Sequence, residues 1–281
     1  MSAGLVLDGV VKRFGSTRHP HTAVDGITDH FAPGSTVGVI GQSGSGKSTL
    51  GRMLCGLETA SAGTITWNGQ DVADIRRSRG ALLQFRRELQ MIGQDTTSSF
   101  DPRRSLRESI MFPAMHLLDL TAAEAWERTD EMLRMLGLEP SMADRPPESV
   151  SGGQRQRFSI ARALIVEPSM LICDEVVSAL DVSVQGSILN FLKQYVRDRG
   201  AGIVFISHGL PATAFISDEL RVMYQGRFVE QGPTRDVVGS PRDAYTRELL
   251  AGYNDTAAAP VAAGAAAASA SATTTREAHR A

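Results

Sequence analysis

The chain has 281 residues, room for one large domain or two small ones with a substantial core, and its formal net charge of −2 offers no basic field for nucleic acid. Its two cysteines, Cys55 and Cys173, lie in apolar segments without C-x-x-C spacing, which argues against a disulfide framework, a zinc site or an iron–sulfur cluster and suits the cytoplasm. No basic n-region marks a signal peptide, and no run approaches the ~18 apolar residues that span a bilayer, so any membrane role is expected to be peripheral.

Residues Leu5–Phe14 alternate as a strand does, and Phe14 at its end reads equally as a platform for stacking adenine or as ordinary packing. Ser35–Ile40 is a short apolar run rich in β-branched residues, the pattern of a buried strand. Gly41–Thr49 follows with the G-x-x-x-x-G-K-[ST] spacing, and Leu50, Met53, Leu54 and Leu57 continue at helical period. Strand, glycine run and helix together are the context a phosphate-binding loop requires. Gly41, Gly44 and Gly46 permit the tight turn that points backbone N–H groups inward, and the helix start adds partial positive charge. Lys47 adds a full charge against the β/γ-phosphates, and Ser48 a hydroxyl for Mg²⁺. Gly63–Val72 reads as a hairpin around an Asn68-Gly69 type I′ turn, which predicts a small antiparallel β-subdomain over the nucleotide.

Leu89–Ile92 is a short strand ending at Gly93-Gln94-Asp95, followed by a polar loop. Gln94 at that tip is either a metal or water ligand through its amide oxygen or a solvated side chain. Residues 105–148 read as helical, with a capping box at Thr121–Glu124 and a helix end at Gly137. Ser151, Gly152, Gly153 and Gln154 open the next helix and form a second anion-binding corner, or a plain N-cap. Met170–Cys173 is an apolar strand that delivers Asp174 and Glu175 at its tip, the first suited to holding Mg²⁺ and the second to polarising water. Asp181 is the expected N-cap of a helix ending at Gly200. Ile203–Ile206 is another buried strand, with His208 just beyond it as a structural residue or a γ-phosphate contact. Leu220–Gln231 reads as a hairpin turning at Gln225-Gly226, and Ser240-Pro241 as the start of a helix through Leu250. From Asn254 the composition collapses to Ala, Ser and Thr, which predicts a disordered tail over 254–281.

This ordered set resembles the ATPase subunit of ABC transporters, over nearly everything from Leu5 to Tyr253. By that resemblance Phe14 falls at the adenine-stacking A-loop, and Gly41, Gln42, Ser43, Gly44, Ser45, Gly46, Lys47, Ser48 and Thr49 form Walker A. Gln94 matches the Q-loop, Ser151–Gln154 the family signature, and Asp174-Glu175 the Walker B pair. Ser178–Asp181 matches the D-loop and His208 the switch histidine. The implied fold is α/β: a P-loop NTPase core with a mostly parallel sheet, an antiparallel β-subdomain and an inserted helical subdomain. The implied domains are a cassette over 4–238 with its helical part at about 96–165, and a short helical extension at 239–253. Within the family the chain looks like the peptide/nickel importer branch, and there like the second of two ATPases. The pointers are Gln154–Arg157, Ser178–Val184 and Ser240–Leu250. Val176 replaces the usual Pro after Glu175 and Gly209 the usual Asp after His208, departures that bear on hydrolysis rather than on binding. Asp95-Thr96-Thr97 departs where such subunits meet the membrane protein and bears on partner choice, and the cysteine-bearing extension of some relatives is absent.

The resemblance also implies ATP and Mg²⁺ as ligands, with Ser48, Gln94 and Asp174 around the metal and Glu175, His208 and Gln94 serving hydrolysis. Each signature loop would close the nucleotide site of a second, related ATPase chain in a head-to-tail pair. Two membrane-spanning permeases, an extracytoplasmic binding protein and a place on the cytoplasmic face of the membrane follow from the same source. Two other functions compete: a non-hydrolysing regulatory subunit, and a soluble ABC ATPase acting on DNA or ribosomes. A single cassette with no heptad run between Lys47 and Ser151 argues against the latter.

Overall fold

A computed structural model describes residues 3–15, 20–95, 99–178 and 180–253. Its strands are β1 (Leu5–Phe14), β2 (His21–Phe31), β3 (Thr36–Ile40), β4 (Ala62–Trp67), β5 (Gln70–Asp71), β6 (Leu89–Ile92), β7 (Met170–Asp174), β8 (Gly202–Ile206), β9 (Glu219–Tyr224) and β10 (Arg227–Pro233). Helices α1 (Lys47–Leu54), α2 (Val72–Ile75), α3 (Arg79–Glu88), α4 (Leu106–Leu117) and α5 (Ala122–Met135) occupy the first half. Then come α6 (Gly152–Leu164), α7 (Val182–Arg199), α8 (Leu210–Ile216), α9 (Thr234–Gly239) and α10 (residues 244–253).

Six strands form one sheet in the order β10-β9-β3-β8-β7-β6, parallel from β9 to β6. Its central strands are buried on both faces, which is why β3, β7 and β8 read in the sequence as unbroken apolar runs. Helix α8 lies close against β3 because Gly38 has no side chain: a Cβ there would sit 2.3 Å from a methyl of Thr213. Four strands form an antiparallel sheet in the order β2-β1-β4-β5. Its β4–β5 turn has positive φ at both Asn68 (49°) and Gly69 (84°), the type I′ geometry expected of that pair. Strand β2 went unread in the sequence. Its buried residues, Ala23, Val24, Ile27 and Phe31, are unevenly spaced, and its pairing with β1 shifts register three times, so no period of two survives. Helix α3 was unread for a related reason: Phe85 is its one buried residue.

The residues expected to be helical form α4 and α5, followed by two 3₁₀ turns at Pro140–Asp144 and Pro147–Ser149. Capping boxes start α4 at Ser105, α5 at Thr121 and α6 at Ser151. The C-terminal helix begins later than Ser240-Pro241 implies. Glu230 accepts the backbone N–H groups of Arg242 (2.8 Å) and Asp243 (3.0 Å), holding 241–243 out of the helix. Asp243 then caps α10 by accepting from the N–H of Tyr245, while Ser240 closes α9 instead.

Arg107 ties the helical layer together. Its nearly buried guanidinium donates to Asp144 (2.6 Å), Asp130 (2.5 Å) and the carbonyl of Pro140 (2.9 Å), and it lies 3.7 Å from the centroid of Trp126. Arg107→Ala removes the nearly buried hub, leaves Asp130 only its longer 3.7 Å contact to Arg134, and is expected to cost about 2–3 kcal/mol in urea unfolding. A loss below about 0.5 kcal/mol, the range of an ordinary surface substitution, would show that the network does not hold the layer.

Candidate functional site

Parallel register brings four strand ends to one rim. Thr36 to Val39 of β3 pair with Ile203 to Ile206, and Met170 to Asp174 of β7 pair with Gly202 to Ile206, so the residues that follow β3, β8 and β7 emerge side by side. Strand β6 adds Gln94 beyond β7. Ligands of open α/β sheets bind outside the carboxyl ends of such strands. Here the rim encloses a cavity of about 500 Å³, lined by His21, Ala23, Ser43, Gly44, Gly46, Lys47, Ser48, Thr49, Gln94, Glu175 and His208.

The loop from Gly41 to Gly46 is shaped by close backbone approach. Gly46 precedes α1 with φ of 106°, and a Cβ on it would lie 2.0 Å from the carbonyl oxygen of Ala23. The β9–β10 turn braces the loop from outside, since the N–H of Gly226 donates to the Ser45 carbonyl at 2.9 Å. Lys47 curls into the loop, its ammonium donating to the carbonyls of Gly41 (2.8 Å) and Gln42 (2.9 Å). Burial holds the Lys47 pKa below the usual lysine value, against the opposing pull of Glu175 and Asp174. Ser48 donates to Asp174 Oδ1 at 3.0 Å, joining the start of α1 to the end of β7. Burial raises the Asp174 carboxyl above the usual aspartate range, a shift moderated by the Ser48 hydrogen bond and increased by Glu175.

Glu175 adopts φ of 53°, a left-handed conformation that non-glycine residues seldom take. Its own N–H is held by the Ile206 carbonyl at 2.9 Å. The turn aims its carboxylate at the β8 tip, where it accepts from the His208 N–H at 2.9 Å and lies 2.8 Å from His208 Nδ1. A carboxylate can only accept, so Nδ1 carries the proton in this contact, and Nε2 points away from Glu175. Strain of this kind persists where the surroundings over-determine it, a frequent mark of functional sites.

The other expected residues lie in two places. Phe14 ends β1 opposite His21, with the Lys12 ammonium 4.8 Å from its ring centroid; His21, not Phe14, lines the cavity. Ser151, Gly152, Gly153 and Gln154 are also absent from its lining. They cap α6, where the Ser151 hydroxyl accepts from the Gln154 N–H at 3.2 Å. Asp181 is the N-cap of α7, as expected, but its side chain makes no capping hydrogen bond. Thr96, Thr97, Ala179 and the tail from Asn254 lie outside the described residues. Sequence reasoning missed His21, Ala23 and Tyr245, whose hydroxyl accepts the Gln42 N–H at 3.0 Å. His21 and Ala23 carry no motif spacing, and the Ser240–Leu250 pattern that contains Tyr245 gives no sign of a contact to the loop; only the fold brings the three there.

A glycine loop closed by a strand-borne carboxylate pair defines a P-loop nucleotide-binding cassette. The family model described as "ABC transporter" matches residues 24–178. The oligopeptide transport ATP-binding protein OppF of Bacillus subtilis is 40% identical over 241 residues, 85% of this chain and 79% of that one. The glutathione import ATP-binding protein GsiA of Escherichia coli is 45% identical over 236 residues, 84% of this chain and 37% of GsiA. Among solved structures, the ATP-binding cassette MJ0796, dimeric in a post-hydrolysis state with ADP and Pi, superposes with a TM-score of 0.76. It is 25% identical and covers 82% of this chain and 99% of its own. The chain belongs to the ABC transporter family and is one of its ATP-binding ATPases.

Burial of Asp174 has a stability consequence whose sign is fixed. Its folded pKa is raised, so folding is penalised where the carboxyl must ionise and not where both states are protonated. Asp174→Asn is therefore expected to raise the urea midpoint of the nucleotide-free protein at pH 7. That gain should shrink as pH falls toward about 4, the ordinary aspartate range. Equal or lower stability of the variant at pH 7 would contradict the burial argument.

Proposed function

We propose that this chain binds and hydrolyses ATP to drive import of oligopeptides or a related small solute, such as a metal chelate, through an ABC importer. The observation that carries the hydrolytic part is the Glu175–His208 contact at the mouth of the Lys47 loop. The cargo class rests on the likeness to OppF and GsiA.

Lys47 and the inward N–H groups of the loop hold the phosphates. Phe14, at the end of β1, stacks on adenine. Glu175 orients the attacking water and draws its proton, and His208, fixed by Glu175, presents Nε2 to the γ-phosphate. Magnesium fits the donor set. Ser48, Asp174 and Gln94 offer hard oxygens, and no cluster of three or more His, Cys, Asp or Glu side chains suited to a metal occurs among the described residues. That is the sparse protein contribution expected of an ion held largely by substrate phosphates. When bound, the ion supplies neutralisation of charge on the β- and γ-oxygens.

Ser151, Gly152 and Gly153 stand at an exposed helix start away from this chain's cavity, which suits closure over nucleotide held by a second ATPase chain. A Cβ on Gly153 would lie 3.3 Å from Leu180, so Asp181 follows directly on a neighbour of the signature, which suits a D-loop role at the same closure. The same reading assigns 4–238 to the cassette, about 96–165 to its helical part and 239–253 to an extension. Two permeases and a binding protein complete the assembly at the cytoplasmic face of the membrane. No helix among the described residues is long and apolar enough to cross a membrane, so contact would run through the permeases. A regulatory, non-hydrolysing subunit is the second reading, favoured by Gly209, which leaves α8 without a side-chain cap just after His208.

Lys47→Ala is expected to abolish ATP binding in an equilibrium assay with labelled nucleotide; wild-type affinity would refute the loop assignment. Glu175→Gln should keep ATP and Mg²⁺ binding while slowing hydrolysis by roughly 10²–10⁴-fold. Size exclusion with light scattering should then show an ATP-dependent pair, formed best with a related ATPase chain. Full turnover by the variant would overturn the role of Glu175. Normal binding without turnover in the wild-type pair would favour the regulatory reading.

A further inference from the structure

Helix α10 lies outside the sheet that carries the nucleotide loop, yet it touches both the Lys47 loop and the His208 loop. Leu249 and Leu250 bury against Ile40, Leu210, Leu220 and Val222, which pins the helix to the end of β3 and to α8. The Tyr245 ring stacks on Tyr224 at 4.1 Å between centroids. Packing thus places two hydroxyls. Tyr245 Oη accepts the N–H of Gln42, whose carbonyl in turn accepts from Lys47. Tyr253 Oη donates to the carbonyl of His208, whose N–H and Nδ1 engage Glu175. Burial raises both tyrosines, Tyr253 to about 12, and Glu175 is close enough to contribute to the latter.

We propose that α10 is a strut that sets the spacing between the Lys47 loop and the His208 loop, with Tyr245 and Tyr253 as positioning residues. The two contacts act on different groups. Tyr245 holds the backbone that anchors the Lys47 ammonium, so its hydroxyl serves nucleotide affinity. Tyr253 holds the backbone of His208, so its hydroxyl serves turnover. The assignment rests on the ATP-binding and hydrolytic reading above, and it adds a role for the C-terminal segment that the phosphate-loop motif does not contain. Nothing in the segment contacts the cavity directly, since none of its residues lines it.

The test uses the full chain with Mg²⁺, measuring equilibrium ATP binding, steady-state kcat and KM, and thermal unfolding for Tyr245→Phe and Tyr253→Phe. Each substitution keeps the ring and removes one hydrogen bond, worth about three- to tenfold in an equilibrium or rate constant. Tyr245→Phe should weaken ATP binding by about that factor with kcat changed by less than about twofold. Tyr253→Phe should lower kcat by a similar factor with ATP affinity within about twofold of wild type. Wild-type constants in both variants would overturn the proposal, as would losses in binding and turnover that simply track a fall in melting temperature. Hydrogen exchange on the unsubstituted chain gives a decision even where a variant folds poorly. Mg-ATP should slow exchange across residues 244–253, and unchanged exchange would count against the strut. Lys47→Ala is the control that separates the two readings: retained ATP binding there refutes the site itself, whatever the tyrosines do.

Discussion

The parallel pairing of β3 with β8 and of β8 with β7 is the constraint on which the site depends. Register in a parallel ladder is set by backbone hydrogen bonds along the whole strand, so a shift in any one strand would move its terminal residue by a full residue spacing. The ends of these strands deliver the glycine loop, His208 and the Asp174-Glu175 pair. The Ser48–Asp174 hydrogen bond then locks the first helix turn, which follows β3, to the far end of that row. Two apolar cores, one on each side of the large sheet, hold the strands in place. Close packing there leaves little freedom for the tips to drift.

Around that row the structure accepts local costs. Glu175 sits at positive φ, Asp174 is buried, and Lys47 is partly stripped of solvent. Each cost is offset by a neighbour: the Ile206 carbonyl holds the Glu175 backbone, Ser48 hydrogen-bonds Asp174, and loop carbonyls receive the lysine ammonium. Charges held in this way cannot relax far when charge builds up elsewhere, and preorganisation of that kind is what electrostatic stabilisation of a transition state requires. The supports come from distant parts of the chain. Gly226 reaches Ser45 from the β9–β10 turn, and Arg221 joins β9 to Asp29 of β2 at 2.7 Å.

Most of the sheet was legible because the physics that forms it is local. Short apolar runs announced β3, β7 and β8, the Asn68-Gly69 pair announced its turn, and Thr121–Glu124 its capping box. Strand β2 was not legible, since its bulged pairing with β1 destroys the alternation on which strand reading rests. The start of α10 was misread because Ser240-Pro241 satisfies the local rule for a helix start, while Glu230, on another element, captures the amides that would have begun it.

The sequence by itself determined which chemical groups stand near one another along the chain. The spacing of Gly41–Thr49, the Asp174-Glu175 pair at the end of β7 and the histidine after β8 are short-range patterns, readable within a few residues of backbone. Only the tertiary structure decided how those pieces face one another. It put Glu175 on His208 and left Ser151–Gln154 outside this chain's own cavity. It also placed His21 along the cavity wall and brought Tyr245 to the loop across 203 residues of chain. Such contacts depend on register, layer packing and long-range closure. Those are properties of the whole folded chain, and no window of sequence records them.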